Sequence, residues 1–382
     1  MGELSRLLES FLDPARVREA ISELKKIDTL LTEIGRTNDR LSRSDLAGIG
    51  HNAFSAASRY GRDVTDYLAA VRDASQAGYE DAEGIAALSM AVQNACGVTS
   101  ELADQLISAA DQAYGMNGSV SELTRVLDGM NHITGHSAVT MEDLSAGMSD
   151  LGSTAASLGV DANEAAAALA TLITVSGQGG SDAAEAFRAI LLYTGQITDA
   201  ENGITAKGLK RYEDACKSLN VSLRETRDGV RSLRDPMTVL GELAAAYSRL
   251  GTNDSRRSGL LDSLGDSAHA DQLDHLLQQW DTYETMLRQY ADGTGSMAAE
   301  AENTADSWEG SLNRLSNTWT DTVGNFTDSD AIVAAANGLN GLLSVINNIT
   351  KAIGPLASIG LGVGLFSGFK NTGKHRISVR IS

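Results

Sequence analysis

The chain has few prolines, cysteines and aromatic residues. Three of its 382 residues are proline, two are cysteine, and aromatic side chains make up 5% of the sequence. Few prolines leave helices uninterrupted and few aromatics argue against a large β-sheet, so we expect an all-α protein. Cys96 and Cys216 form neither a CxxC pair nor a disulfide framework, which indicates a reducing compartment or indifference to redox state.

The N-terminus lacks the apolar run of a secretory signal peptide. Residues 1–16 carry Glu3, Arg6, Glu9 and Arg16 among short apolar groups. Because export by the general secretory route depends on a continuous apolar segment, we do not expect secretion by that route.

Positive charge is scarce as well. The formal net charge is −19, and the only basic residues between Arg72 and Lys207 are Arg125 and Arg188. Proteins that bind phosphate backbones need clustered Lys and Arg, so we predict no direct DNA binding. The acidic side chains are interpreted as a solvated surface that keeps the helices soluble.

Residues that could carry catalysis lack the spacing that chemistry requires. His132 and His136 are four residues apart, as in a helical metal pair, but Gly135 interrupts the helix and no third ligand is evident. GQGG at 177–180 could hold an anion on free amides, yet a hinge is favoured because no preceding strand or lysine supports a phosphate loop. We predict no catalytic residues, no metal and no cofactor.

Regular apolar spacing near the N-terminus predicts a coiled-coil-like helical segment over residues 1–50. Apolar side chains recur there at steps of three and four residues, forming one seam. Its members are Val17, Ala20, Leu24, Ile27, Leu31 and Ile34, of which all but Ala20 are candidate oligomer-seam residues. The seam needs a partner, which is either a helix of the same chain or a copy from another subunit.

Residues 51–290 read as one helical core domain with short turns. Gly159 suits a left-handed helix end, while Thr140 with Asp143 and Asp161 with Glu164 have the spacing of N-terminal capping boxes. Around 221–233, apolar and polar residues alternate about an Asp-Gly pair, which predicts one small β-hairpin in an otherwise all-α fold.

Within that domain, LGVDANEAAAALATL at 158–172 and SDAAEAFRAILLYTG at 181–195 are predicted to form a helical hairpin that reverses at VSGQGG. Alanine lets two helix axes approach closely, so we expect tight packing between the arms. The candidate packing residues are Leu169, Leu172, Ile173, Phe187, Ile190 and Leu191.

Two further segments follow the core. Residues 291–350 are predicted to be amphipathic helix, with one apolar face formed by Trp308, Leu312, Leu315, Trp319, Val323 and Phe326. Residues 351–382 are a glycine-rich apolar stretch and a basic end. There, Gly360, Gly364 and Gly368 have the GxxxG spacing of closely packed apolar helices. A membrane-active segment and a buried assembly helix or flexible chain both fit, with the latter slightly favoured.

Three stretches together resemble the core region of phage tail tape measure proteins. They are SLGVDANEAAAALATLITVSGQGGSDAAEAFRAILL, the preceding GMSDLGSTAASLGVD, and the later MLRQYADGTGSMAAEAENTADSWEGSLNRLSNTWTDTVGN. The resemblance covers about residues 76–350, and the coiled-coil-like segment predicted at residues 1–50 is in keeping with it. Members of that family commonly run much longer, so we expect the ruler and any lytic domain to lie beyond residue 382.

The resemblance implies a structural virion protein of a phage or prophage. Several copies would occupy the tail lumen, set tail length and leave during genome ejection. It implies contacts with the tail tube protein, tail assembly chaperones and baseplate or tail-tip proteins, in the host cytoplasm during assembly, and transient contact with the host membrane on ejection. The alternative from another class is a bacterial helical membrane-interacting or secreted effector.

Overall fold

The structure is a computed structural model that describes residues 14–325, apart from residues 39, 201–202, 228 and 266. Within that part, sixteen helices and one two-stranded antiparallel sheet form the fold. The prediction of a mainly α protein with one small β-hairpin is therefore confirmed. Its physical basis is the small share of proline and β-favouring side chains, which leaves helix as the preferred conformation of most segments.

In chain order, the elements are α1 (Pro14–Thr37), α2 (Arg43–Tyr60), α3 (Val64–Gln76), α4 (Ala82–Cys96), α5 (Ser100–Tyr114), α6 (Val120–Gly135), α7 (Met141–Ser157), α8 (Ala162–Ser176), α9 (Gly180–Thr194), α10 (Ala206–Ser218), β1 (Arg224–Arg227), β2 (Val230–Leu233), α11 (Pro236–Tyr247), α12 (Ser255–Ser263), α13 (Ser267–Gln278), α14 (Trp280–Asp292), α15 (Ser296–Ala305) and α16 (Trp308–Asn325).

The chain divides into two compact units. Unit 1 comprises the described residues up to Arg72 and those from Trp308 onward, and unit 2 comprises residues 73–307. The segments predicted from the sequence were instead bounded at residues 50, 290 and 350. Unit 1 joins segments about 250 residues apart in sequence (for example 61 and 313), and no local change in composition signals such a pairing.

Unit 1 is built on α1, α2 and α16. Helix α1 packs against both of the others, and α2 also contacts α16. Helix α2 begins at a capping box, in which the Ser42 hydroxyl accepts the Asp45 N–H at 3.2 Å and the Asp45 carboxylate accepts the Ser42 N–H at 2.8 Å. It ends at Gly61, whose φ of 62° suits glycine.

Unit 2 is centred on α8, the alanine-rich helix. Helix α8 contacts α6, α7, α9, α13 and α14, so other helices lie on every side of it. Residues 165–173 are all buried. A helix that is apolar around its whole circumference can be stable only when it is enclosed in this way.

The turn between α7 and α8 shows how local sequence sets the helix ends. Gly159 adopts a φ of 79°, and the Val160 N–H donates to the Ala155 carbonyl at 2.9 Å. The Asp161 N–H then donates to the Glu164 carboxylate at 3.1 Å. The backbone groups left free at the end of α7 and the start of α8 thus find hydrogen-bond partners within ten residues, as the sequence spacing predicts.

The β-hairpin lies between α10 and α11. Arg224 pairs with Leu233 and Arg227 pairs with Val230, so residues 228–229 connect the strands. Gly229 has a φ of 79°, as a two-residue hairpin connection requires. In the described part of the chain, no further strand joins this sheet.

Candidate functional site

The predicted helical hairpin lies in the core of unit 2. All six candidate packing residues are buried: Leu169, Leu172, Ile173, Phe187, Ile190 and Leu191. Helices α8 and α9 contact each other, and both also pack against α7. The alanines therefore let several helices approach α8 at once, and this surface is closed to an outside partner.

The GQGG turn is held by α7 and α13 rather than by a ligand. The Gly180 N–H points to the Asp143 carboxylate at 3.4 Å, and a Cβ added at Gly180 would lie 1.8 Å from the Asp143 carbonyl oxygen. The Gln272 side-chain amide donates to the Gln178 side chain. An anion at this helix N-terminus would have to displace the chain's own carboxylate, so the turn acts as a packed junction.

His132 and His136 do meet in space, with ring centroids 4.1 Å apart. The Nδ1 of His136 lies 2.8 Å from the His132 carbonyl oxygen, so this nitrogen is engaged with the backbone. Among the described residues, no group of three or more His, Cys, Asp and Glu side chains is placed to hold a metal ion. The pair is therefore explained as a helix-end contact.

Burial disfavours the thiolate form of both cysteines. Burial raises the pKa of the Cys96 thiol to about 12 and that of the Cys216 thiol to about 12. A cysteine acts as a nucleophile or metal ligand through its thiolate, which is scarce at neutral pH when the pKa is so high. Cys96 instead lies 3.4 Å from the Asn131 side-chain oxygen, as a weak donor.

A polar junction in unit 2 is not signalled by any local sequence pattern. Asp128 on α6 is buried, and its carboxylate accepts the N–H groups of Gly295 and Met297 at 2.8 and 3.0 Å. It therefore caps α15 from a distance of 169 residues along the chain. Asn131, one turn later, donates to Ser296 and Glu300 at 3.1 Å each. This junction ties α6 to the start of α15.

Unit 1 contains a comparable polar clamp. Asn317 on α16 is buried; its amide donates to the Arg62 carbonyl at 2.7 Å and its oxygen accepts the Val64 N–H at 3.2 Å. Asn313, one turn earlier, donates to the Gly61 carbonyl at 2.9 Å. Two asparagines four residues apart thus bind the backbone of the α2–α3 turn.

The N-terminal seam lies on α1 and is covered in part by the same chain. Ile27 and Ile34 are buried in unit 1, whereas Leu24 and Leu31 are half-buried. Leu31 lies against α2, where a Cβ added at Gly50 would come within 2.9 Å of its Cδ1. The side chain of Val17 lies outside the described residues. The half-buried leucines are the part of the seam that a second copy could reach.

Several predicted sites lie outside the described residues. They include the apolar segment with Gly360, Gly364 and Gly368, Phe326, and the side chains of Trp308, Leu312, Leu315, Trp319 and Val323. Within the part of the chain that the structure describes, no helix has both the length and the apolar character needed to cross a membrane.

The β-hairpin combines exposed apolar side chains with basic residues. Every residue of β2 is exposed, Val230 at 67% and Leu233 at 40%. The surrounding residues 207–234 contain eight basic and four acidic side chains, whereas the chain as a whole is strongly acidic. The base of the hairpin is anchored, because Leu223 is buried and Arg234 donates to Glu242 at 2.8 Å.

An acidic groove of about 320 Å³ lies elsewhere on unit 2, between α7, α9 and the loop after α9. Asp150, Asp182 and Glu185 line it, with Leu192 and Ile204 as apolar lining. Arg188 also lines the groove, but its guanidinium lies 4.0 Å from the Asp199 carboxylate, which offsets its charge. The groove therefore offers mainly negative charge, because its apolar residues Leu192 and Ile204 are almost fully buried.

Comparison with protein-family models gives a match. A family model described as "Phage-related minor tail protein" matches residues 53–265, which is more than half of the chain. The matched range runs from the middle of α2 past the end of α12, and it includes the buried α8, the hairpin and the groove. No solved structure matches the chain.

Proposed function

Since the chain belongs to the family of phage-related minor tail proteins, we propose that it is a tape measure protein, which sets tail length during assembly and leaves the tail during genome ejection. Its role in this proposal is structural and non-enzymatic. The observation that carries the proposal is the family match over residues 53–265, together with the tape-measure-like run at 286–325 that continues beyond it.

The described fold supports a division of labour within such a protein. Its longest helix, α1, has 24 residues and would span about 36 Å at about 1.5 Å per residue. Helices this short, packed into two compact units, are suited to recognition during assembly. Length setting would fall to extended helical chain, because only an extended helix converts residue number directly into length.

The proposed role in the tail also defines the partners of the chain. Copies of the chain would lie in the tail lumen, beside the tail tube protein and the baseplate or tail-tip proteins. Tail assembly chaperones would shield apolar segments in the host cytoplasm before the tube closes, and the host membrane would be met only on ejection. The half-buried Leu24 and Leu31 of α1 would contribute to contacts between copies.

Family membership favours this proposal over the secreted effector. An effector would be encoded beside a secretion locus or an immunity gene, whereas a tail protein is expected beside tail tube and baseplate genes. The glycine-rich apolar stretch within residues 351–382, which a membrane-interacting effector would insert into a bilayer, lies outside the described residues.

The proposal is tested by changing the length of the gene in a phage that carries it. We expect an in-frame insertion of about 70 helix-forming residues after residue 325 to lengthen the tail by about 105 Å, measured by electron microscopy. The control is a deletion inside unit 2, which should prevent tail assembly rather than shorten the tail. Normal tail length after the insertion would reject length setting while leaving family membership intact.

A further inference from the structure

We propose that the β-hairpin at residues 224–233 docks into the acidic groove of a second copy of this chain. In this two-stranded sheet every residue of β2 is exposed, with Val230 at its surface. Natural proteins generally cover or charge such strand edges, because an uncovered edge pairs with other chains. Exposed apolar side chains beside uncovered edges therefore mark a binding element.

The hairpin is prepared for binding by the way it is anchored. Val221 and Leu223 are buried directly before β1. After β2, the Arg234 N–H donates to the Leu223 carbonyl at 3.0 Å and its side chain donates to Glu242 at 2.8 Å. An isolated two-stranded hairpin is only marginally stable in water, so this anchoring holds the exposed strands in place. Little ordering entropy is then lost on docking.

Charge complementarity identifies the occupant as a second copy. Within the hairpin three arginines outnumber Glu225 and Asp228, so its complementary partner is a negatively charged surface. The groove supplies carboxylates from Asp150, Asp182 and Glu185.

The contact joins two different surfaces of unit 2. Among the described residues of one copy, none of the hairpin lines the groove, so the groove is open to the hairpin of another copy. Because the two surfaces differ, each added copy still presents one unused hairpin and one unused groove. The contact therefore builds a ring or a linear series of copies. It follows from the charge and shape of unit 2 and does not depend on length setting.

The test is a charge exchange on the full chain, followed by sedimentation velocity. In one variant Arg224→Glu and Arg231→Glu reverse the hairpin, and in the other Asp182→Lys and Glu185→Lys reverse the groove. We expect either variant alone to raise the dissociation constant for self-association at least about tenfold. Association of the parent should weaken as NaCl rises from about 50 to about 500 mM.

Mixing the two variants separates a docking contact from a folding defect. The acidic hairpin of one then meets the basic groove of the other, and the remaining pair keeps its original charges, so we expect association to return to within about threefold of the parent. The matched control is Arg249→Glu with Arg288→Glu, two exposed arginines of unit 2 outside the hairpin, which should leave association unchanged.

Three results would overturn the proposal: a monomeric parent, unchanged association after hairpin reversal, or no recovery on mixing. A short DNA duplex serves as the competing probe. If hairpin reversal abolished DNA binding and left self-association intact, the hairpin would be a nucleic-acid contact instead. The phage tail-length experiment is separate, so failure of docking and failure of length setting are distinguishable.

Discussion

Helix α8 and the β-hairpin are opposite extremes within unit 2. Residues 165–173 of α8 are buried on every side, whereas every residue of β2 is exposed. Alanine-rich sequence makes the first possible, because small uncharged side chains allow neighbouring helices to enclose α8. Arginines keep the second in water, because an unpaired charge is costly to bury. The comparison separates the part of the unit that maintains its structure from the part that is available to partners.

The largest expected difference in stability comes from shortening one apolar side chain in the core around α8 and one in the β-hairpin. Phe187 of α9 packs in the core around α8 and is fully buried. We expect Phe187→Ala to lower the free energy of unfolding by about 3–5 kcal/mol, because it removes buried surface and leaves a cavity. Val230→Ala in the hairpin should change it by less than about 0.5 kcal/mol. Chemical denaturation measures both, and equal effects would break the comparison.

The next effect concerns the close approach at the turn before α9. A Cβ at Gly180 would lie 1.8 Å from the Asp143 carbonyl oxygen, so the backbone must shift. We expect Gly180→Ala to cost about 1–3 kcal/mol by overpacking. Gly251→Ala is the matched control, because nothing lies within 4 Å of a Cβ there. If thermal denaturation gave the two variants the same stability, the turn would be less tightly packed than the structure indicates.

A smaller effect is expected at the base of the hairpin. Arg234 and Glu242 form an ion pair in which the Glu242 side chain is 47% exposed. We expect Arg234→Ala to lower the free energy of unfolding by less than about 1 kcal/mol, because solvent screens exposed pairs. Raising the salt concentration should shrink the difference from the parent further. A loss as large as that of Phe187→Ala would show that the hairpin supports the core.

The smallest expected effect concerns how stability changes with pH. Its sign should differ between the core around α8 and the base of the hairpin. Burial raises the pKa of Glu164 on α8, while the Arg234 hydrogen bond lowers the pKa of Glu242 beside the hairpin, both from an ordinary value of 4.5. Raised pKa in the folded state means that Glu164 costs stability as pH rises from 4.5 through its folded pKa. Lowered pKa means that Glu242 contributes stability above 4.5 that is lost as pH falls through its folded pKa.

Two variants measure this difference. Relative to the parent, Glu164→Gln should gain stability as pH rises from about 3 to about 7, and Glu242→Gln should lose stability over the same range. Denaturation at several pH values gives both slopes. Slopes of the same sign would contradict the assignment of one carboxylate to a half-buried site and the other to an exposed ion pair.

Much of the fold was predictable because it follows from short-range rules. The Asp161–Glu164 spacing starts α8, and a glycine at 159 ends the preceding helix, each through hydrogen bonds within a few residues. Apolar spacing indicated that Leu169 and Phe187 would pack, and both are buried. It did not indicate that α8 would be surrounded by five helices, because periodicity identifies an apolar face without naming what covers it.

The interaction surfaces were harder to predict. Helix α8 has the more conspicuous sequence, yet its residues 165–173 are closed to outside partners. The β-hairpin was predicted as a structural element, but its exposure depends on how α10 and α11 hold its base. The basic composition of residues 207–234 contrasts with the acidic chain on either side, and this contrast was the sequence signal for an interaction surface. Composition alone could not show that a groove of opposite charge lies on the same unit.

The sequence by itself determined the helices, their ends and the two-residue connection of the hairpin, because each depends on hydrogen bonds and side-chain spacing within about ten residues. Only the tertiary structure decided that Asp128 caps a helix 169 residues away and that Asn317 closes the α2–α3 turn. Such contacts form where a buried polar backbone group would otherwise lack a partner. Their position therefore depends on how distant helices pack, which no local pattern of residues records.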